Sequence, residues 1–139
     1  MRTEGISLVA PPTLLPAHIA QWPVRVSHSL DEVIASTDVL YMLRLQSERM
    51  DQGLIPNLGE YGNRFGLTDQ RAQKLQSTAV VMHPGPMNRG VEMHVDPADL
   101  PNSLIHKQVA NGVSVRMAVL FDVLARGGEL NSLKEEGVA

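Results

Sequence analysis

At 139 residues, with 43% apolar and 19% charged side chains and a formal net charge of −3, the sequence has the composition of one globular domain. That balance excludes a disordered segment and supplies no basic field to draw the chain to nucleic acid or an anionic membrane. Cysteine is absent, which rules out disulfides, thiolate catalysis and thiolate metal ligation, and aromatic residues, at 4%, are too few for a base-stacking platform.

Met1-Arg2-Thr3-Glu4-Gly5 lacks the apolar centre of a signal peptide, and no uninterrupted apolar run approaches the roughly twenty residues of a membrane span. A cytoplasmic protein is therefore expected. Ile6-Ser7-Leu8-Val9-Ala10 reads as a buried strand ended by Pro11-Pro12. Pro16 and Pro23 keep the next stretch irregular or in short helical turns, and Val24-Arg25-Val26 alternates as a short strand does. Ser27 or Ser29 is placed to cap a helix with Asp31 and Glu32 in its first turn and Leu30, Val33 and Ile34 on its apolar face. Asp38 to Arg44 reads as a strand whose continuous apolar middle predicts burial on both faces.

Gln46 to Arg64, with Gly53, Pro56, Gly59 and Gly62, reads as a long loop with helical pieces, a class of loop that is often functional. Thr68 opens a helix with Asp69 in its first turn and Arg71 and Lys74 toward its end. Ala79-Val80-Val81-Met82 is a third buried strand and runs directly into His83-Pro84-Gly85-Pro86. From Leu104 to Leu124, Ile105, Val109, Val113, Met117, Leu120 and Leu124 recur at helical steps, although Asn111-Gly112 weakens the interior. Gly127-Gly128 is expected to stop this helix. Met42, Met82 and Met117 read as core filler. His18, His28, His94 and His106 show no metal-ligand spacing, so no metal and no cofactor are expected.

Strands alternating with helices predict an α/β fold, a three-layer parallel sheet flanked by helices. In such sheets ligands bind beyond the carboxyl ends of the strands. Two stretches occupy that place. After Leu43 come Arg44-Leu45-Gln46-Ser47-Glu48-Arg49. In extended geometry Arg44 and Gln46 share one side, and a guanidinium beside an amide suits a small carboxylate, with Glu48 and Arg49 as an ion pair able to position Arg44. A solvated polar loop fits the same residues. After Met82 comes His83-Pro84-Gly85-Pro86, where the prolines remove backbone donors and fix torsions, leaving a rigid row of carbonyl oxygens suited to an amino or amide group. A simple strand-ending turn fits equally.

The order of these segments resembles one family. Arg44-Leu45-Gln46-Ser47-Glu48-Arg49 resembles the Arg-x-Gln-x-Glu-Arg motif of aspartate carbamoyltransferases, and His83-Pro84-Gly85-Pro86-Met87-Asn88-Arg89-Gly90-Val91-Glu92 their His-Pro-x-Pro-x-x-Arg segment. Gln108-Val109-Ala110-Asn111-Gly112-Val113-Ser114-Val115-Arg116 resembles the start of their last helix, and Val9-Ala10-Pro11-Pro12-Thr13-Leu14-Leu15-Pro16 an early strand and turn of the second domain in bacterial members. Ornithine carbamoyltransferases typically carry a cysteine where this sequence has Pro84, which favours the aspartate enzymes.

The resemblance implies transfer of the carbamoyl group of carbamoyl phosphate to L-aspartate, giving N-carbamoyl-L-aspartate and phosphate, in early pyrimidine synthesis. It implies that Arg44 and Gln46 bind L-aspartate and that the backbone carbonyls of Gly85 and Pro86 face carbamoyl phosphate across a bond able to be cis. His83, Pro84, Glu48 and Arg49 support them, and no clear catalytic side chain lies in this half. It also implies homotrimers, with or without regulatory chains. The family's Ser-x-Arg-Thr-Arg phosphate motif and its His-Pro-Thr-Gln segment do not occur in these residues. The expectation is thus a C-terminal aspartate-binding half: residues 1–126 as a domain truncated at its N-terminal end, with its last helix at about 104–126, then a flexible tail at 127–139, and no carbamoyl-phosphate domain. Such a chain is expected to be inactive alone, its last helix exposing an apolar face. Three alternatives stay open: a non-catalytic aspartate-binding or regulatory module, an inert structural relic that merely oligomerises, and a carbamoyltransferase for another amino substrate.

Overall fold

The computed structural model describes residues 5–46, 54–55 and 57–136, with side chains to residue 125. Residues up to Ile105 form one compact unit, and His106 onward form a second.

In the first unit, β1 (Ile6–Val9) pairs in parallel with β2 (Val24–Ser27), and β3 (Val39–Tyr41) pairs in parallel with β4 (Val80–Met82). The expected parallel α/β class is borne out, as two separate two-stranded pairs among the described residues. The chain crosses between β1 and β2 through 3-10 turns at Pro12–Leu14 and Ile19–Gln21, where prolines deny the donors a longer helix needs. The helix expected after Ser29 is instead two 3-10 turns, Leu30–Glu32 and Ile34–Ser36. Ser29 makes no capping bond. The hydroxyl of Ser27 accepts from the Ser29 amide at 3.1 Å and donates to Glu32 at 2.8 Å, a local alternative to helix geometry.

Two burial expectations are corrected. Along β3 only Leu40 is buried, with Val39 and Tyr41 about half exposed, so a single face of the strand meets the core. Along β1, Ile6 is exposed and the other residues are half-buried. The core gathers Leu30, Ile34, Leu40, Met42, Leu67, Val81, Met93, Val95, Leu100 and Ile105, each worth about 1.5–3 kcal/mol when fully withdrawn from water.

The polar stretch after β3 carries α1 (Leu58–Phe65), capped by Asn57, whose side chain accepts from the amides of Gly59 and Glu60 at 2.7 and 3.1 Å. Thr68 caps the short α2 (Asp69–Ala72) by accepting from the Arg71 amide at 3.3 Å, as the sequence predicts. Arg71 does more than charge a helix end. It is 9% exposed, donates twice to Asp31 at 3.1 and 2.8 Å, and gives a third bond to the carbonyl of Gly66 at 2.8 Å. Lys74 closes on the other Asp31 oxygen at 2.7 Å. These partners, Arg71 first, hold the Asp31 carboxyl down at about 2. Because its folded value lies below the unfolded value of roughly 3.9, the clamp stabilises fully above about pH 4 and is lost as pH falls toward 2. Asp31→Asn is expected to cost about 1 kcal/mol at pH 7, a value reduced for screening because the carboxylate is 40% exposed, and nothing near pH 2. Urea unfolding at both pH values checks it, and an equal loss at each would remove the clamp from the account.

The second unit is the helix α3 (Ile105–Glu136). It runs through Gly127-Gly128, contrary to the expected stop: each glycine costs only about 1 kcal/mol, no proline follows, and Glu129, Leu130, Lys134, Glu135 and Glu136 favour helix. Val113, Met117, Leu120, Phe121 and Leu124 are all more than half exposed, so the expected exposed apolar face is present, and Met117 is not core filler as anticipated. Residues Ile105–Ala125 are long and apolar enough to cross a membrane by length and composition, although no uninterrupted apolar run within them is that long. Lys107, Arg116 and Asp122 interrupt the segment, each at a substantial insertion cost.

Candidate functional site

The parallel pairing of β3 and β4 brings their carboxyl ends side by side, which places Arg44 next to the segment that follows Met82. The last ladder bond runs from the Met42 amide to the Met82 carbonyl at 2.9 Å. Beyond it the chain at Leu45 stays buried, Arg44 is half-buried and Gln46 is exposed. Glu48 and Arg49, anticipated as a supporting ion pair, lie outside the described residues.

The Gly85–Pro86 peptide is cis, and Gly85 adopts φ 65°, a left-handed conformation open to glycine and costly for other residues. His83, at 0% exposure, lies under this turn. The Gly85 amide donates to His83 Nδ1 at 2.9 Å, so Nδ1 carries the lone pair and the proton of the neutral ring sits on Nε2. Nε2 in turn faces Glu92 Oε1 at 3.3 Å. Burial lowers the His83 pKa below its ordinary value, against the opposing pull of Glu92, and so favours that neutral ring.

Glu92 is equally buried, and its Oε1 also accepts from the Asn88 amide at 2.5 Å. Its second oxygen, Oε2, has no hydrogen-bond partner among the described residues. Asn88 faces the other way with its side chain. Its Nδ2 donates to the Leu45 carbonyl at 2.7 Å, and its Oδ1 accepts from Arg44 Nε at 3.4 Å. Neither residue is given a role of its own by the sequence, although both fall in the segment from His83 to Glu92 that carries the resemblance. Glu92 looks like an ordinary surface acid in a polar stretch, and only its separation of nine residues from a histidine bracketing a proline turn hints at a closed loop.

The far end of this loop is pinned to α1 and the residue after it. The Leu67 amide donates to the Glu92 carbonyl at 2.9 Å, and the His94 amide donates to the Leu67 carbonyl at 3.0 Å. Gly62 and Gly66 let α1 lie against it: a Cβ on Gly62 would come 2.9 Å from the Val91 carbonyl oxygen, and one on Gly66 would overlap the same atom. Gly62 is itself buried and half-buried Tyr61 stands one residue before it, the Tyr61 hydroxyl pushed up in pKa first by burial and then by the charge of Glu92.

Fold and geometry together define a parallel α/β domain whose candidate site lies at the carboxyl ends of adjacent strands, with a guanidinium on one side and a proline-rigid carbonyl turn on the other. The family model for the aspartate/ornithine carbamoyltransferase Asp/Orn binding domain matches residues 16–123, and the chain belongs to that family. The match takes in most of the apolar part of α3. The aspartate carbamoyltransferase catalytic subunit of Mycobacterium ulcerans is 51% identical over 134 residues, 96% of this chain and 41% of its own length. That of Leifsonia xyli subsp. xyli is 48% identical over 128 residues, 90% of this chain and 41% of its own. Among solved structures, aspartate transcarbamoylase from Trypanosoma cruzi in complex with carbamoyl phosphate and aspartate superposes with a TM-score of 0.68 at 29% identity, covering 85% of this chain and 40% of that one. The chain thus spans about 41% of the length of the curated relatives it matches.

Proposed function

We propose that these residues form the L-aspartate-binding part of an aspartate carbamoyltransferase, which transfers the carbamoyl group of carbamoyl phosphate to the amino group of L-aspartate in pyrimidine synthesis. The observation that carries this reading is the junction of Arg44 with the His83–Glu92 loop through Asn88, which sets a carboxylate-binding cation beside a row of carbonyls. The names of the relatives agree with it.

Arg44 grips a carboxylate of L-aspartate by a charge-assisted pair, with Gln46 beside it. The carbonyls of Gly85 and Pro86 accept from the carbamoyl nitrogen and the attacking amine. The amine attacks the carbamoyl carbon, the C–O bond to phosphate breaks, and the departing phosphate takes up the amine proton. Catalysis comes from placing two small reactants in line and from stabilising charge, and it uses no nucleophilic side chain. The phosphate is held by residues outside these 139, because the sequence contains no Ser-x-Arg-Thr-Arg clamp. A cytoplasmic location and assembly with further catalytic chains follow from the same reading.

The test is formation of N-carbamoyl-L-aspartate by the 139-residue chain, alone and mixed with a carbamoyl-phosphate domain of a relative. No turnover alone, and turnover with the added domain, is the expected result. Aspartate binding by calorimetry without turnover in either case points to a non-catalytic module, and preference for another amine changes the substrate.

A further inference from the structure

We infer that Asn88 is a positioning residue that locks Arg44 to the carbonyl turn, with the buried His83–Glu92 pair as its foundation. The inference deepens the functional reading above and rests on it for the identity of the ligand.

His83 and Glu92 are both wholly buried, and a buried polar pair persists only when its partners hold it. His83 is committed on one ring nitrogen to the Gly85 amide, and its other ring nitrogen faces Glu92. The turn that presents the Gly85 and Pro86 carbonyls is therefore fastened at its own backbone to the ring beneath it. Glu92 Oε1 accepts from the Asn88 amide as well. The same carboxylate oxygen thus fixes both ends of the segment from His83 to Asn88.

Asn88 has its backbone held by that carboxylate and its side chain spent across the strand-end gap. Nδ2 holds the Leu45 carbonyl, one residue past Arg44, and Oδ1 meets Arg44 Nε. A primary amide is suited to this place because it donates and accepts at once. An aspartate there would keep the acceptor for Arg44 and set a charge against the Leu45 carbonyl. An alanine would lose both contacts. The consequence is that Asn88 ties the carboxylate-gripping guanidinium to the carbonyl turn. An error of about 1 Å between two reacting groups is enough to cost on the order of a hundredfold in rate.

Asn88 is half-buried at the surface of the unit, so its replacement leaves the core intact. The readout independent of substrate is the Arg44 Nε–H resonance of the 139-residue chain, followed by its exchange with solvent. Asn88→Ala is expected to speed that exchange about tenfold, Asn88→Asp to restore most of the protection, and Glu92→Gln to fall between, since it keeps an uncharged acceptor for the Asn88 amide. The second readout is L-aspartate affinity by calorimetry, expected to fall about tenfold in Asn88→Ala. Unchanged Arg44 exchange in both Asn88→Ala and Glu92→Gln overturns the inference, and so does normal aspartate affinity in Asn88→Ala when the wild-type chain binds aspartate. If the wild-type chain ignores aspartate while Asn88→Ala still releases the Arg44 signal, the positioning stands and the functional reading falls.

Discussion

Arg44→Ala is expected to weaken L-aspartate binding on the order of a hundredfold while leaving the fold in place. A bidentate guanidinium–carboxylate pair contributes about 2–3 kcal/mol beyond what water offers the same carboxylate, and each 1.4 kcal/mol is a factor of ten. The loss should fall on aspartate saturation much more than on carbamoyl phosphate, because the carbonyl turn at Gly85 and Pro86 is fastened by His83 and not by Arg44. Stability should change little. Arg44 is half-buried, and Asn88 keeps its donor bond to the Leu45 carbonyl and its amide bond to Glu92 when the guanidinium is gone. Arg44→Lys is the discriminating companion. Lysine keeps the charge but lacks the fork, and its ammonium cannot reproduce the Nε contact to Asn88, so it should recover only a small part of the affinity. Calorimetric titration of aspartate into the three proteins decides the point. Equal affinities would take Arg44 out of the site.

The parts of this architecture that were legible in the sequence are those with a strong local signature. His83-Pro84-Gly85-Pro86 announces itself because paired prolines after an apolar run permit few conformations, and the turn proved to be cis with Gly85 in left-handed geometry. Thr68 before Asp69 gave a cap because a hydroxyl in that position has one obvious donor to satisfy. What stayed hidden depends on partners far along the chain. Arg71 looked like a basic helix end, yet its burial follows from Asp31, forty residues earlier. Glu92 and Asn88 sit in the segment that carries the resemblance, yet nothing local gives either a role, because that role comes from loop closure against His83 and Leu45. The burial of β3 was overestimated for a related reason: an apolar run shows that a strand can be covered on both faces, while the covering layer is set elsewhere. The Gly127-Gly128 stop failed because glycine weakens a helix by a modest amount, and a helix ends firmly only where proline or a capping geometry also intervenes.

Gly66→Ala is expected to be the most damaging small substitution in the first unit. Glycine is used here for space, since its φ of −72° suits any residue. A methyl group on Gly66 would overlap the Val91 carbonyl oxygen and the Gly62 carbonyl oxygen, and would stand 3.0 Å from the His94 ring. The first two are backbone atoms, so no rotamer change relieves them, and either α1 must lift or the loop through Val91 must move. Overpacking of that kind costs about 1–3 kcal/mol, here at the upper end, equivalent to a fall of roughly 10 °C in Tm. The displacement would also reach the site. Val91 adjoins Glu92, whose carboxylate holds both His83 and the Asn88 amide, so a shift of the loop loosens the anchor of the carbonyl turn and of Arg44 together. Aspartate affinity should therefore fall along with stability, although Gly66 touches no ligand. Gly112→Ala supplies the contrast. Its nearest neighbour is the end of the flexible Arg116 side chain at 3.6 Å, within the interior of α3, so added methyl there meets no backbone and should raise helix stability by about 0.5–1 kcal/mol. Thermal unfolding paired with aspartate titration separates the two glycines: a Gly66→Ala protein that melts normally and binds normally would show that α1 and the loop through Val91 are not in the close contact described.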